Sequence, residues 1–187
     1  MSHKKHLRAL CESAIFVAAA LALSYLKVPI GASFGGFGGS IDFVMIPLIL
    51  LAVRWGLGWG LGAGLAFGTL KFFIGGGTAV SWESMLLDYS LAYMFVGMAG
   101  IFRRRSSLVW LAALTGCVSR FLIHFISGVT IYAEYVSPIF GWDGTSSTIY
   151  SILYNGSYML PNTVIAVVLC LLLQHPLKKY LSGSSLR

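Results

Sequence analysis

Six apolar runs, separated by short polar or glycine-rich stretches, make up most of the chain. The first extends from about Leu10 to Val28. The second is short, contains Met45-Ile46-Pro47-Leu48 and ends at Arg54. The third covers about Gly56 to Ile74, and the fourth follows Glu83 and continues to Phe102. The fifth runs from about Leu108 to Ile131 and the sixth from about Thr148 to Leu173. At 1.5 Å per residue, about 20 apolar residues in a helix cross the roughly 30 Å hydrocarbon core of a bilayer. The pattern predicts an all-α membrane protein with six transmembrane helices. Only short loops remain, so residues 1–187 are expected to form a single integral-membrane domain.

Composition agrees with this reading. The 187 residues are 57% hydrophobic and only 10% charged, and the mean hydropathy is +0.82, well beyond an average soluble domain. A net charge of +7 raises the question of nucleic acid, but the basic residues sit at the ends of apolar runs and not on a stripe with stacking aromatics. They carry topology instead. Arg103-Arg104-Arg105 is the strongest cluster and belongs on the cytoplasmic side. With both termini cytoplasmic, Lys4, Lys5, Arg8, Arg54, Lys178, Lys179 and Arg187 fall on the same side. Lys27 is then left in an outer loop, and Lys71 and Arg120 lie inside runs. Lys71, near the outer end of the third run, is expected to snorkel toward water. The basic start resembles a signal peptide, but five further runs follow and the first is long for one, so it is read as an uncleaved span. Cys11, Cys117 and Cys170 are scattered singly and suggest no disulfide framework.

Small residues mark two helix faces. Ala14, Ala18 and Ala22 recur every four positions and line up in one row, which permits close approach of another helix, either within this chain or from a partner. Gly56, Gly60, Gly64 and Gly68 form a second such row, a smooth groove for tight packing. No Lys-Ser or Lys-Thr follows these glycines, so there is no phosphate-binding loop of the ATPase type. Gly31-Ala32-Ser33-Phe34-Gly35-Gly36-Phe37-Gly38-Gly39-Ser40 is too flexible to span and forms the first outer loop, placed to fold over a site. Asp42 follows it, either favouring the positive end of a helix dipole or attracting a cation.

The chemistry centres on Asp88. A carboxylate well inside a membrane helix costs roughly 2.5–3.5 kcal/mol on insertion scales, and such groups normally face a cavity or a partner. With the orientation above, Asp88 lies about five residues, or roughly 8 Å, inside the outer end of the fourth run. His124 lies near the outer end of the fifth, one turn beyond Arg120. Tyr150 and Asn155 occupy the first turns of the sixth. Polar groups on three consecutive helices thus share one depth on the outer side, which predicts a pocket. Tyr150 and Asn155 are about 140° apart on an ideal helix, so that pocket must wrap round the helix end or the helix must be irregular there. Tyr132 and the loop from Glu134 to Gly144 add aromatic and acidic groups above it. Acids with aromatic faces suit a planar cation.

These residues occur within a longer series: Gly38-Gly39-Ser40, Met45-Ile46-Pro47, Arg54-Trp55-Gly56, Leu87-Asp88-Tyr89, His124-Phe125-Ile126-Ser127-Gly128, Tyr150-Ser151, Tyr154-Asn155 and Tyr158-Met159-Leu160-Pro161. In that order, over nearly the whole chain, they resemble the thiamine-specific substrate-binding (S) component of energy-coupling factor (ECF) transporters. The resemblance implies a six-helix protein of the bacterial cell membrane that captures thiamine from outside. Transport would require a transmembrane coupling subunit and two cytoplasmic ATPases. It implies ligand contacts at Asp88, Tyr89, His124, Tyr150 and Asn155, an aromatic stacked on the vitamin at Tyr132, and an acid near the thiazolium at Asp42. It also implies that Ala14, Ala18 and Ala22 dock on the coupling subunit. Some members have Glu at the position of Asp88, Trp at Tyr132 and Tyr at Thr78. The aromatic expected just before Ser40 is replaced here by glycine, with Phe34 or Phe37 as substitutes. No enzyme activity and no cofactor is implied.

Two other classes fit part of the pattern. A stand-alone proton-coupled carrier for a small cationic metabolite would use Asp88 and His124 as a relay, although no internal repeat or interrupted helix is evident in the sequence. An intramembrane enzyme would use the same pair as base and acid, but no nucleophile motif or metal-ligand spacing accompanies them.

Overall fold

The computed structural model describes residues 3–31, 38–136 and 145–183. The chain is almost entirely helical. Helix α1 is His3–Leu23, α2 is Met45–Trp55, α3 is Leu57–Ile74, α4 is Trp82–Phe102, α5 is Val109–Thr130, α6 is Ser147–Gln174 and α7 is the short Lys178–Leu181. Helices α1, α3, α4 and α6, and α5 with the turn before it, are each long and apolar enough to cross a membrane. Between α1 and α2 the chain makes a minimal hairpin in which β1, Val28–Pro29, pairs antiparallel with β2, Ser40–Ile41.

Helix α2 departs from the expected run of span-length helices. Its 11 residues reach only about 16 Å. Every one of them is buried, so it is the central helix of the bundle, enclosed by α1, α3, α4, α5 and α6. It stops at Gly56, whose φ of 97° lies in the left-handed region that glycine tolerates, and α3 begins at the next residue.

The glycine row of α3 packs against α4. A Cβ at Gly64 would sit 2.2 Å from the carbonyl oxygen of Tyr93, and one at Gly68 would sit 2.2 Å from that of Tyr89. Backbone therefore meets backbone along this seam. Helix α4 itself is not regular. It starts as an α-turn capped by Ser81, whose side chain accepts from the Ser84 N–H, widens to a π-helical turn over Leu86–Leu91, returns to α over Ala92–Val96 and tightens to 3₁₀ over Gly97–Phe102. The helix stays continuous through these changes, and the π-turn falls on Asp88, in keeping with the tendency of π-turns to mark functional positions.

Candidate functional site: a tyrosine-lined cavity at Asp88

A cavity of about 220 Å³ opens among α3, α4, α5, α6 and the first hairpin. The π-turn of α4 presents two consecutive residues, Asp88 and Tyr89, to it. From α5, His124 meets Asp88, with Nδ1 3.1 Å from Oδ1. The pair is mostly buried, with side-chain exposures of 8% for His124 and 18% for Asp88. An acid and an imidazole from different helices thus satisfy each other at the wall while remaining open to a ligand.

Helix α6 supplies the opposite wall. Tyr150, Ser151, Tyr154, Asn155 and Tyr158 all line the cavity and together cover a continuous arc of about 140° on a regular helix. This resolves the angular difficulty between Tyr150 and Asn155: the cavity wraps round the helix, and the helix stays regular. The Tyr150 and Tyr154 rings are stacked with centroids 5.7 Å apart, and Tyr158 meets both Tyr154 and His124 edge-on. Asn155 is locked in place. Its amide donates to the His124 carbonyl at 3.3 Å and the Ser151 carbonyl at 3.0 Å, while its oxygen accepts from the Tyr158 hydroxyl at 2.5 Å. The sequence motif contains Tyr154 and Tyr158 without assigning them to the site; their spacing of four and eight from Tyr150 is the signal that puts all three on one face.

The floor is charged. Lys71, Tyr93 and Arg120 line it, and the Tyr93 oxygen accepts from Lys71 Nζ at 2.6 Å and from Arg120 Nη2 at 3.0 Å. Lys71 does not snorkel. It is buried, and its ammonium also reaches Asp42 Oδ2 at 3.3 Å, because that carboxylate offers a partner inside the bundle. Asp42 does not line the cavity itself. It accepts from the Val44 N–H at 3.3 Å just before α2, and its own N–H donates to Asn162 Oδ1 at 2.9 Å.

At the mouth, the Tyr89 hydroxyl exchanges hydrogen bonds with both backbone groups of Thr78 and its ring packs on Phe72. Tyr132, just beyond α5, also lines the cavity. Burial, followed by the nearby Asp88 charge, pushes its phenol above the ordinary value, so it stays a neutral aromatic face. Tyr154 holds the first loop: its hydroxyl accepts from the Gly38 N–H at 3.0 Å and donates to the Gly38 carbonyl. Phe34, Phe37 and the acid and aromatics from Ser137 to Gly144 lie outside the described residues. Among the described residues, no three metal-ligating side chains come together. The arrangement offers a carboxylate, aromatic faces and hydrogen-bonding groups of both senses above a floor bearing Lys71 and Arg120, which suits a small flat polar ligand.

Comparison with known proteins gives this geometry a family. A model of the thiamine transporter protein family (Thia_YuaJ) matches residues 10–182. The chain belongs to that family. It is 34% identical to the thiamine transporter ThiT of Bacillus subtilis, over 92% of this chain and 93% of that protein. It is 29% identical to ThiT of Lacticaseibacillus paracasei, over 90% and 87%. The solved structure of ThiT from Listeria monocytogenes superposes with a TM-score of 0.81 at 27% identity, covering 95% of this chain and 98% of that one.

As a member of the thiamine transporter family, the chain is a multi-pass bacterial membrane protein that serves transport and is not an enzyme. Ala14, Ala18 and Ala22 are exposed on α1, whereas Ala9, Ser13, Val17 and Ala20 face the bundle. Two of the three, Ala14 and Ala18, line an apolar groove beside α3.

Proposed function

We propose that this protein is the thiamine-binding S component of an ECF transporter. It is a single integral-membrane domain of six spans with both termini cytoplasmic, with α2 as the short, enclosed span. The observation that carries the reading is the Asp88–His124 pair set in a tyrosine-lined cavity of about 220 Å³, in a chain of the thiamine transporter family. Asp88 and the ring of Tyr132 answer the thiazolium charge, and His124, Asn155, Tyr89 and Tyr150 answer the donors and acceptors of the aminopyrimidine. A site whose buried polar groups are left unpaired by analogues rejects them. Asp42 acts one step removed, by holding Lys71 at the floor. Release into the cell requires the coupling subunit, met through Ala14, Ala18 and Ala22, and two ATPases.

The test is thiamine uptake by cells in which this chain is the sole importer, with and without the ATPases. Uptake that needs them supports the S component. Uptake into vesicles lacking any ATPase would establish the proton-coupled carrier instead.

A further inference from the structure

Glu12 is an acid within the first membrane helix, and the thiamine cavity makes no use of it. Its carboxylate accepts from five donor atoms. Arg54 Nε lies 2.5 Å from Oε2 and Arg54 Nη2 lies 2.9 Å from Oε1. Trp55 Nε1 and the Tyr180 hydroxyl approach Oε2 at 2.8 Å and 2.7 Å, and Arg8 Nε approaches Oε1 at 2.9 Å. Arg54 is fully buried. It also donates to the Tyr180 carbonyl at 2.6 Å and lies over the Tyr180 ring at 3.7 Å. The fork-on-carboxylate geometry fixes orientation as well as distance. Three elements, α1, α2 and α7, are tied at this single point.

The knot lies on the helix that bears the alanine row, half a turn from Ala14. Elsewhere α1 packs on α2 and α3 through the buried Ala9, Val17 and Ala20, and an apolar groove lies between its Ala14, Val17, Ala18 and Leu21 and the Ala66 and Leu70 of α3. Apolar contacts of this sort bring helices close through van der Waals packing and carry no directional bond. A bidentate ion pair with two further hydrogen bonds to α2 and α7 supplies the direction.

We propose that Glu12 is a positioning residue for coupling: through Arg54, Trp55 and Tyr180 it holds α1 at the rotation that turns Ala14, Ala18 and Ala22 toward an apolar helix of the coupling subunit. The inference rests on the S-component reading above. It separates two properties of the chain, since the knot is remote from the cavity lining. Thiamine capture survives its loss, and delivery does not.

Two variants test it, in the full chain co-expressed with the coupling subunit and ATPases. Glu12→Gln leaves Arg54 buried without its counter-charge. The double variant Glu12→Gln, Arg54→Met removes that penalty by making the centre of the knot uncharged. The expected result for the double variant is unchanged thiamine affinity by calorimetry together with loss of thiamine uptake and of co-purification with the coupling subunit. Uptake at the wild-type level would overturn the proposal. Loss of thiamine binding in the double variant would overturn it too, by showing that the knot holds the whole fold. Wild-type uptake that does not require the ATPases would instead remove the S-component reading on which the proposal stands.

Discussion

Asp88 and His124 stand 36 positions apart in the chain and meet at 3.1 Å across two helices, held there by a π-turn in one and a regular helix in the other. Hydrogen bonds to a charged group are worth about 1.5–3 kcal/mol. Asp88→Asn keeps the shape and removes the charge. Thiamine affinity should therefore fall by about tenfold to a hundredfold, with little change in the unfolding temperature, since the side chain is not in the packed core. Calorimetry paired with a thermal unfolding curve checks both halves. Unchanged affinity would sink the assignment of Asp88 to the ligand.

Tyr154 joins the wall of the cavity to the first outer loop through both backbone groups of Gly38. Tyr154→Phe keeps the ring stacked on Tyr150 but cuts both hydrogen bonds, each worth about 0.5–1.5 kcal/mol net. The expected effect is a thiamine dissociation rate raised by about fivefold to a hundredfold, with a much smaller change in association. Stopped-flow fluorescence reads the two rates separately.

Gly68 sets how closely α3 approaches the π-turn. Alanine is the better helix former by about 1 kcal/mol, yet a Cβ here would meet the Tyr89 carbonyl at 2.2 Å, and overpacking against backbone costs about 1–3 kcal/mol or more. The clash should win. Gly68→Ala is expected to lower both the unfolding temperature and thiamine affinity, because Tyr89 adjoins Asp88. Gly62→Ala, where nothing lies within 4 Å, should be neutral or stabilising in the same assay.

Lys71 and Asp42 are both buried. Removing one partner of a buried pair costs about 3–5 kcal/mol, whereas replacing both is often close to neutral. Lys71→Met alone should therefore lower the unfolding temperature strongly, and Lys71→Met with Asp42→Asn should recover much of the loss. Equal damage in the single and double variants would show that the two charges do not act as a pair.

The common level of Asp88, His124, Tyr150 and Asn155 was legible in the sequence, and so was the convergence of Asp88 with His124, because an acid in an apolar run needs a partner and few were on offer. The same reasoning stopped short at Lys71 and Arg54. Lys71 reads as a snorkelling residue and Arg54 as a cytoplasmic topology charge, since nothing in the local pattern shows that Asp42, 29 residues from Lys71, or Glu12, 42 residues from Arg54, waits beside them in the folded bundle. Pairing between distant runs is decided by packing, and single-sequence periodicity carries no term for it. The π-turn was hidden for a related reason. Leu86-Leu87-Asp88-Tyr89-Ser90-Leu91 has no proline or glycine to announce a break, and the wider turn is maintained against α3, where glycine brings the backbones together. The tyrosines at 150, 154 and 158 were readable from their spacing alone.

The most direct measurement is an isothermal titration of the purified, detergent-solubilised chain with thiamine and no partner present. Saturable one-to-one binding, tight enough to persist at low micromolar protein and lost in Asp88→Asn, is the predicted result. A folded protein that gives no heat and no tryptophan fluorescence change with thiamine would contradict the assignment of this cavity to the vitamin.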